Sequence, residues 1–302
     1  MISNTFFDKK LGKIFLSNSR IIENLVVTVI TSINLLLSIF NKENIFKTIN
    51  STLKNNSKNK NLRICISNYF YNVSFIYQYA CLLYLRKSKL VKKISEIRSK
   101  GLEIFKSSIK SNSPIVLFTA YTGNFYYMLL TLDIQETTKG KKIAILLPDS
   151  YSTKRNLLHK KIIKYGLTNV EFIDLQIKTN VFKIRRYLKN KDIIICTLDI
   201  SHHYTSDAKI LFLNKMVFLP VGITHLARLY NALVIPVFLY KKKGIVEYEI
   251  LPPLELSYTK NKAYDFDINS KKIVNTIEEK IYQIPSQWLM WETLSECNIN
   301  LK

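Results

Sequence analysis

The sequence predicts an α/β protein in which a mostly parallel sheet is flanked by helices, with a helical membrane-anchoring region at its N-terminus. Three observations support this prediction. Short runs rich in branched apolar residues recur through the second part of the chain, and segments with helical spacing of apolar residues separate them. The first part instead has a long apolar window and a large excess of basic residues.

The apolar window covers residues 21–40 and is long enough to cross a bilayer as a helix, although Glu23 and two asparagines weaken it as a spanning segment. Basic residues flank both of its ends. We therefore expect residues 1–60 to form a membrane-associating region that spans the bilayer or lies in its interface. A buried core helix is the alternative interpretation. Residues 61–302 would then form the α/β domain.

The charge of the chain is strongly positive and uneven. It carries 45 Lys and Arg against 22 Asp and Glu, a formal net charge of +23, and the first 113 residues hold 19 of these basic residues but only five acidic ones. Such a field favours anionic partners, for example a phospholipid surface, an acidic carrier protein or nucleic acid. No pattern of a nucleic-acid-binding module accompanies the lysines, so we expect no nucleic-acid partner.

The cysteines and glycines exclude several classes of site. The four cysteines form no CxxC pair and have no metal-ligand spacing, and three of them lie in apolar runs, which predicts buried free thiols in a reducing compartment. None of the seven glycines belongs to a GxGxxG or GxxxxGK[ST] pattern. We therefore expect no metal, dinucleotide or other cofactor.

Six apolar runs predict the strands of the sheet. They lie at 114–120, 142–148, 170–174, 192–198, 233–240 and 245–251. Helical spacing between and after them predicts helices at 123–133, 153–165, 179–190, 222–231 and 268–284. Ser286 is the expected N-cap of a last helix. An uncharged aromatic stretch at 66–85 could form a core helix or an interfacial one, and its polar residues favour packing against the main domain.

The residues that follow the predicted strands are the candidates for a site, because ligands of open α/β sheets bind beyond the carboxyl ends of the strands. The stretch VLFTAYTGNFYYML (116–129) is typical of a strand, a glycine turn and an aromatic helix. The same rule predicts three further segments at this edge of the sheet: 148–150, 199–203 and the turn around Gly222.

Four blocks of sequence carry a resemblance to a known family. LFTAYTGNFYY is similar to a strand with an HxGNW[E] block, and IIICTLD is similar to a strand ending in an aspartate. The third block is 211–240, with its glycine turn, and the fourth is IYQIPSQWLMW, which is similar to a PeQylW ending. In this order they resemble the lipid A biosynthesis acyltransferase family, the late acyltransferases of the lysophospholipid acyltransferase superfamily.

The resemblance implies a glycerolipid acyltransferase-like fold at the cytoplasmic face of the inner membrane. It implies transfer of a fatty acyl group from an acyl-carrier-protein or CoA thioester to a hydroxyl of a glycolipid or related membrane lipid, without a metal or redox cofactor. Such chemistry needs a general base for the acceptor hydroxyl and a donor for the developing oxyanion.

The resemblance breaks down at the family's catalytic pair. The family has a histidine and an acidic residue five positions apart, where this chain has Tyr121 and Tyr126. A phenol with a pKa near ~10 is mostly protonated at neutral pH and is a poor substitute for a histidine base. Asp199 matches the family. His202 and His203 follow it. One imidazole, oriented by Asp199 or Asp207, could serve as the base with Tyr121 as the oxyanion donor; two solvated loop histidines are the alternative.

Five further residues are expected to bind substrate. Gly123 and Gly222 mark turns where the main chain approaches a ligand or a neighbouring helix. Thr119 and Asn124 are polar residues at the mouth of the expected pocket, and Asn124 matches the family's asparagine. Phe125 belongs to an aromatic cluster that could line a lipid groove or form part of the core.

Three other reactive side chains are not expected to take part in catalysis. Cys196 lies inside a predicted strand, where packing is the usual role. His159 is expected to be exposed on a basic helix, and His225 to pack near the glycine turn. The sequence thus predicts an acyltransferase with an altered site, and the alternative is a catalytically inactive acyl- or lipid-binding relative that assists another enzyme.

Overall fold

The computed structural model describes residues 42–147, 153–199 and 208–296. The predicted membrane segment at 21–40 and the candidate bases His202 and His203 lie outside these residues, so their predictions stand untested. Within the described ranges, no helix combines the length and the apolarity that crossing a membrane requires.

Helices surround a central sheet. The strands are β1 (Arg98–Lys100), β2 (Ile115–Thr119), β3 (Ile143–Leu147), β4 (Val170–Asp174), β5 (Ile193–Thr197), β6 (Ala208–Phe212), β7 (Lys215–Leu219), β8 (Leu233–Lys242) and β9 (Ile245–Ile250). The helices are α1 (Lys42–Thr52), α2 (Lys58–Tyr84), α3 (Lys87–Ser95), α4 (Leu102–Lys110), α5 (Tyr126–Leu129), α6 (Leu132–Thr137), α7 (Thr153–Lys164), α8 (Asn180–Lys189), α9 (Ile223–Tyr230), α10 (Lys262–Gln283) and α11 (Trp291–Glu296).

Seven strands form the main sheet in the order β1-β9-β8-β2-β5-β3-β4, and β6 and β7 form a separate antiparallel hairpin. Only β8 and β9 pair antiparallel in the main sheet. At its centre, Leu117 of β2 lies opposite Ile195 of β5 and Ile235 of β8. These continuous apolar strands suit a sheet covered on both faces. The mostly parallel α/β fold and all six predicted strands are confirmed.

The core lies on both faces of this sheet because successive side chains of a strand point to opposite sides. Val116 and Phe118 belong to one buried cluster, and Ile115 and Leu117 belong to the other. The first cluster also includes Ile49 of α1, so the N-terminal helices share the core of the α/β domain.

Helix α2 crosses the predicted boundary at residue 60 and packs against the C-terminal part of the chain. Ser57 caps it, with Oγ accepting a hydrogen bond from the Lys60 N–H at 3.3 Å. The buried amide of Asn68 donates to the main-chain oxygens of Ser286 and Trp288, at 3.1 and 2.6 Å. The packing expected for residues 66–85 is therefore confirmed.

Two helix predictions were wrong in detail. The segment 123–133 forms the separate helices α5 and α6, because Thr131 is extended and its hydroxyl donates to the Met128 carbonyl at 2.7 Å. Ser286 is not an N-cap: it lies in a 3₁₀ turn, and the last helix begins only at Trp291. The chain is extended at Trp288, which lets both indoles enter the core with their ring centroids 4.9 Å apart.

Candidate functional site

The loop that follows β2 is held in place from three sides. The Tyr121 N–H donates to Asp199 Oδ2 at 2.7 Å, and the Tyr121 carbonyl accepts from the Leu289 N–H at 2.9 Å. The hydroxyl of Tyr71 on α2 donates to the Thr122 carbonyl at 2.7 Å. Hydrogen bonds from three distant parts of the chain therefore fix the path of this loop.

Gly123 allows the loop to approach strand β8. A Cβ atom at this position would lie 2.7 Å from the Leu239 carbonyl oxygen and 2.9 Å from its carbon. These are main-chain atoms inside the sheet and cannot easily move. Only glycine therefore fits here without displacing the loop.

The loop covers a cavity of about 290 Å³ at the carboxyl ends of β2, β3 and β5, where ligands of open α/β sheets bind. The loop contributes Tyr121, Gly123, Asn124, Phe125 and Tyr126. The remaining walls are Ile145, Leu146 and Leu147 of β3, Ile195, Cys196 and Thr197 of β5, and Phe75 and Tyr79 of α2. Most of this surface is aliphatic or aromatic, which suits a hydrocarbon chain.

Tyr121 and Tyr126, which the sequence resemblance puts at the family's histidine and acid positions, both line this cavity. Tyr126 is buried, with its ring centroid 4.1 Å from that of Phe125, and Tyr121 is half-buried. The structure thus brings together five of the residues singled out in the sequence, including Gly123 and Asn124.

Other predicted site residues do not reach this cavity. Thr119 is buried and its hydroxyl donates to the Ala120 carbonyl at 3.2 Å. Gly222 is exposed at the start of α9, with open space where a Cβ would lie. Neither residue lines the cavity described above.

Asp199 contacts the loop and not the cavity itself. Its Oδ2 accepts from the Tyr121 N–H and from the indole N–H of Trp288 at 3.0 Å. Burial raises the pKa of this carboxyl from 3.8 to about 6, while the hydrogen bonds that it accepts lower it. These contacts are those of a residue that positions the loop.

The described cavity wall offers little acid–base chemistry at neutral pH. The Cys196 thiol is buried and its pKa is raised to about 12, so it remains protonated. Histidine, lysine, arginine and carboxylate side chains are missing from the described residues of this wall. No group of three potential ligands for a metal ion occurs in the part of the chain that the structure describes.

The prediction that His159 is exposed was wrong. The side chain is half-buried, and its ring lies edge-on to Phe172 at 4.7 Å, because α7 turns this position towards β4. His225 behaves as expected and stacks on Phe266 with 4.3 Å between ring centroids.

Sequence reasoning missed the residues that complete the site from elsewhere in the chain. Phe75 and Tyr79 on α2 close the cavity, and Trp288 binds Asp199 from 89 positions away. The similarity of the IPSQW segment to the family's ending was the only signal that pointed to this tryptophan.

These features define an α/β protein with an apolar cavity at the carboxyl edge of a mostly parallel sheet, covered by a tyrosine-containing loop. A family profile described as "Bacterial lipid A biosynthesis acyltransferase" matches residues 37–294. The chain therefore belongs to the bacterial lipid A biosynthesis acyltransferase family, and membership of this family suggests acyl transfer to a lipid acceptor. A search of curated proteins found no match.

Proposed function

We propose that this protein transfers a fatty acyl group from an acyl-carrier-protein or CoA thioester to a hydroxyl of a glycolipid or related acceptor at the membrane. The observation that supports this most strongly is the cavity beneath the loop 121–126. This loop resembles the family's HxGNW[E] block in sequence, and the walls of the cavity suit an acyl chain.

The reaction needs a base, and we assign it to the segment after Asp199. The described wall holds phenols and a protonated thiol, which are poor bases at neutral pH. Asp199 lies beside the loop, and His202 and His203 follow it in the sequence within four residues. In this proposal one imidazole removes the proton of the acceptor hydroxyl, and Tyr121 donates to the oxyanion.

The double variant His202→Gln/His203→Gln tests this assignment. Transfer of radiolabelled acyl groups from acyl-CoA and from acyl-carrier protein to extracted membrane lipids should fall about 10²- to 10⁴-fold if a general base is lost. His225→Gln is the matched control, because His225 is exposed and stacks on Phe266. Turnover that the double variant leaves unchanged would eliminate both histidines as the base.

The second candidate function is acyl or lipid binding without catalysis, in support of another enzyme. It is favoured by the tyrosines that replace both members of the family's histidine–acid pair. Under this function, mass spectrometry should find lipid or acyl carrier co-purified with the protein, while no acyl transfer is detected with either thioester.

A basic surface supports an acidic acyl-carrier protein as the donor. Residues 86–98 include five exposed basic side chains and a single acidic one, Glu96. The exposed residues are Arg86, Lys87, Lys89, Lys92 and Arg98. Nearby, the Lys93 ammonium lies 4.8 Å from the ring of Tyr77 on α2, the same helix that supplies Tyr79 to the cavity.

The charge reversal Lys89→Glu/Lys92→Glu should weaken binding of acyl-carrier protein. The affinity of the variant for the carrier should also fall less steeply with added salt than that of the wild type. Lys260→Glu/Lys262→Glu changes the net charge equally at exposed positions and is the matched control. Equal loss of carrier binding in both variants would show a non-specific charge effect and would remove this surface from the proposal.

We also propose that the protein lies at the cytoplasmic face of the inner membrane, with residues 21–40 and the basic N-terminal region in contact with membrane lipid. The support is the apolar sequence of this window and its basic flanks. Flotation of the full chain with anionic vesicles, compared with a variant lacking residues 1–40, tests the contact. Equal flotation of both proteins would contradict it.

A further inference from the structure

The side chain of Asn124 is fixed in one orientation inside the candidate site. It is 2% exposed, and its Oδ1 accepts from the Tyr126 N–H at 3.3 Å. Its carbonyl accepts from the Tyr127 N–H at 3.0 Å. Because a main-chain N–H can only donate, the contact with Tyr126 identifies the oxygen of the amide, and the other atom is the NH₂ group.

Among the residues that the structure describes, this buried NH₂ group has no hydrogen-bond partner. Asn124 lines the cavity, and its Nδ2 makes no hydrogen bond among the described residues. A buried polar group left without a hydrogen-bond partner destabilises the folded protein. A ligand that places a hydrogen-bond acceptor at Nδ2 removes this destabilisation. This point of the cavity therefore suits a ligand with an acceptor group.

We propose that Asn124 Nδ2 donates a hydrogen bond to the carbonyl oxygen of an acyl thioester bound in the cavity. The inference rests on the acyl handling proposed above and names the group by which the acyl chain is held. The apolar walls Ile145, Leu147 and Phe75 suit the hydrocarbon part of such a ligand. The carbonyl oxygen is the hydrogen-bond acceptor next to that chain, and a neutral amide can bind it without attracting anions in general.

The same contact would assist transfer. The acceptor oxygen forms a bond to the acyl carbon, the carbon–sulfur bond breaks, and the proton of the hydroxyl ends on the departing thiolate. Negative charge develops on the carbonyl oxygen during this step. A fixed hydrogen-bond donor therefore stabilises the transition state more than it stabilises the bound thioester. Loss of one such donor typically lowers kcat about 10²- to 10³-fold.

The variant Asn124→Asp removes the donor and keeps the oxygen that caps the main chain at Tyr126. Asn124→Ala is the second variant, because alanine removes the donor without introducing a buried carboxyl group. Thr122→Val is the matched control: the Thr122 hydroxyl is also buried and unpartnered among the described residues, but it does not line the cavity. Circular dichroism and urea denaturation show which variants are folded.

The readout is the infrared carbonyl stretch of dodecanoyl-CoA labelled isotopically at its carbonyl carbon and bound to the full-length protein. The stretch should lie at lower frequency in the wild type and in Thr122→Val than in either Asn124 variant. Bound thioester with the same frequency in the wild type and a folded Asn124 variant would overturn the inference while leaving acyl binding intact. Failure of the wild type to bind the thioester would instead refute the acyl handling on which the inference depends. A shifted stretch without acyl transfer supports the inference and favours the non-catalytic function.

Discussion

The substitution Asp199→Asn tests how the candidate site is held together. The asparagine keeps a carbonyl oxygen for the N–H groups of Tyr121 and Trp288 but removes the charge. Burial raises the pKa of Asp199 from 3.8 to about 6, which means that the folded state favours the protonated acid. Stability from this group is therefore complete below pH 4 and is lost as the pH rises through about 6.

The size of this effect follows from the two pKa values. Each pH unit between them corresponds to roughly 1.4 kcal/mol, so the ionised carboxylate costs the folded state about 3 kcal/mol at neutral pH. The variant lacks this cost. We expect the free energy of unfolding of the wild type, relative to Asp199→Asn, to fall by about 3 kcal/mol between pH 3 and pH 8.

Urea denaturation of both proteins across this pH range provides the assay, with tryptophan fluorescence as the signal. Trp288→Phe removes one donor that stabilises the carboxylate, and it should move the midpoint of the pH dependence to higher pH. A stability difference that is constant with pH, or that favours the wild type increasingly as pH rises, would refute the reasoning about Asp199.

Three other predictions follow from the packing of the fold. Gly123→Ala should destabilise the protein by about 1–3 kcal/mol in urea denaturation, because the new methyl group meets the main chain of the neighbouring strand. Gly222→Ala is the control and should lower the stability less, because space is open at that position. Lys280→Met should lower the free energy of unfolding by about 3 kcal/mol, because buried Glu249 loses an ion-pair partner 2.6 Å away. The added change Glu249→Leu should restore part of this stability. A double variant that is no more stable than Lys280→Met would argue against this interpretation. Cys196 should resist iodoacetamide at pH 8 in the native protein and react in urea, as peptide mass mapping can show, because burial raises its pKa to about 12.

The sheet could be predicted because its strands carry a strong local signal. Runs such as 114–120 and 192–198 are mostly apolar and short, which is typical of a strand buried on both faces. Strand β1 has no such signal, since its three residues are exposed. The hairpin β6–β7 was also missed, because its turn uses Leu213 and Asn214 in the left-handed region where a glycine would have marked it.

The candidate site was predictable only where its residues are neighbours in sequence. The loop 121–126 could be identified from one strand, one glycine and the rule that sites lie at carboxyl ends. The contacts of this loop with Tyr71, Asp199 and Leu289 depend on tertiary packing across long stretches of chain. Asp199 could be singled out from its sequence position, but its hydrogen bond with the Tyr121 N–H could not be predicted from it.

Photolabelling with an acyl-CoA that carries a diazirine on its acyl chain tests the central claim most directly. The cavity beneath the loop should hold the chain, so digestion and mass spectrometry should locate adducts on lining residues such as Tyr126, Ile145 and Phe75. Excess unlabelled acyl-CoA should abolish these adducts. Adducts confined to residues outside the cavity, or labelling that the competitor does not reduce, would contradict the assignment of this cavity to acyl groups.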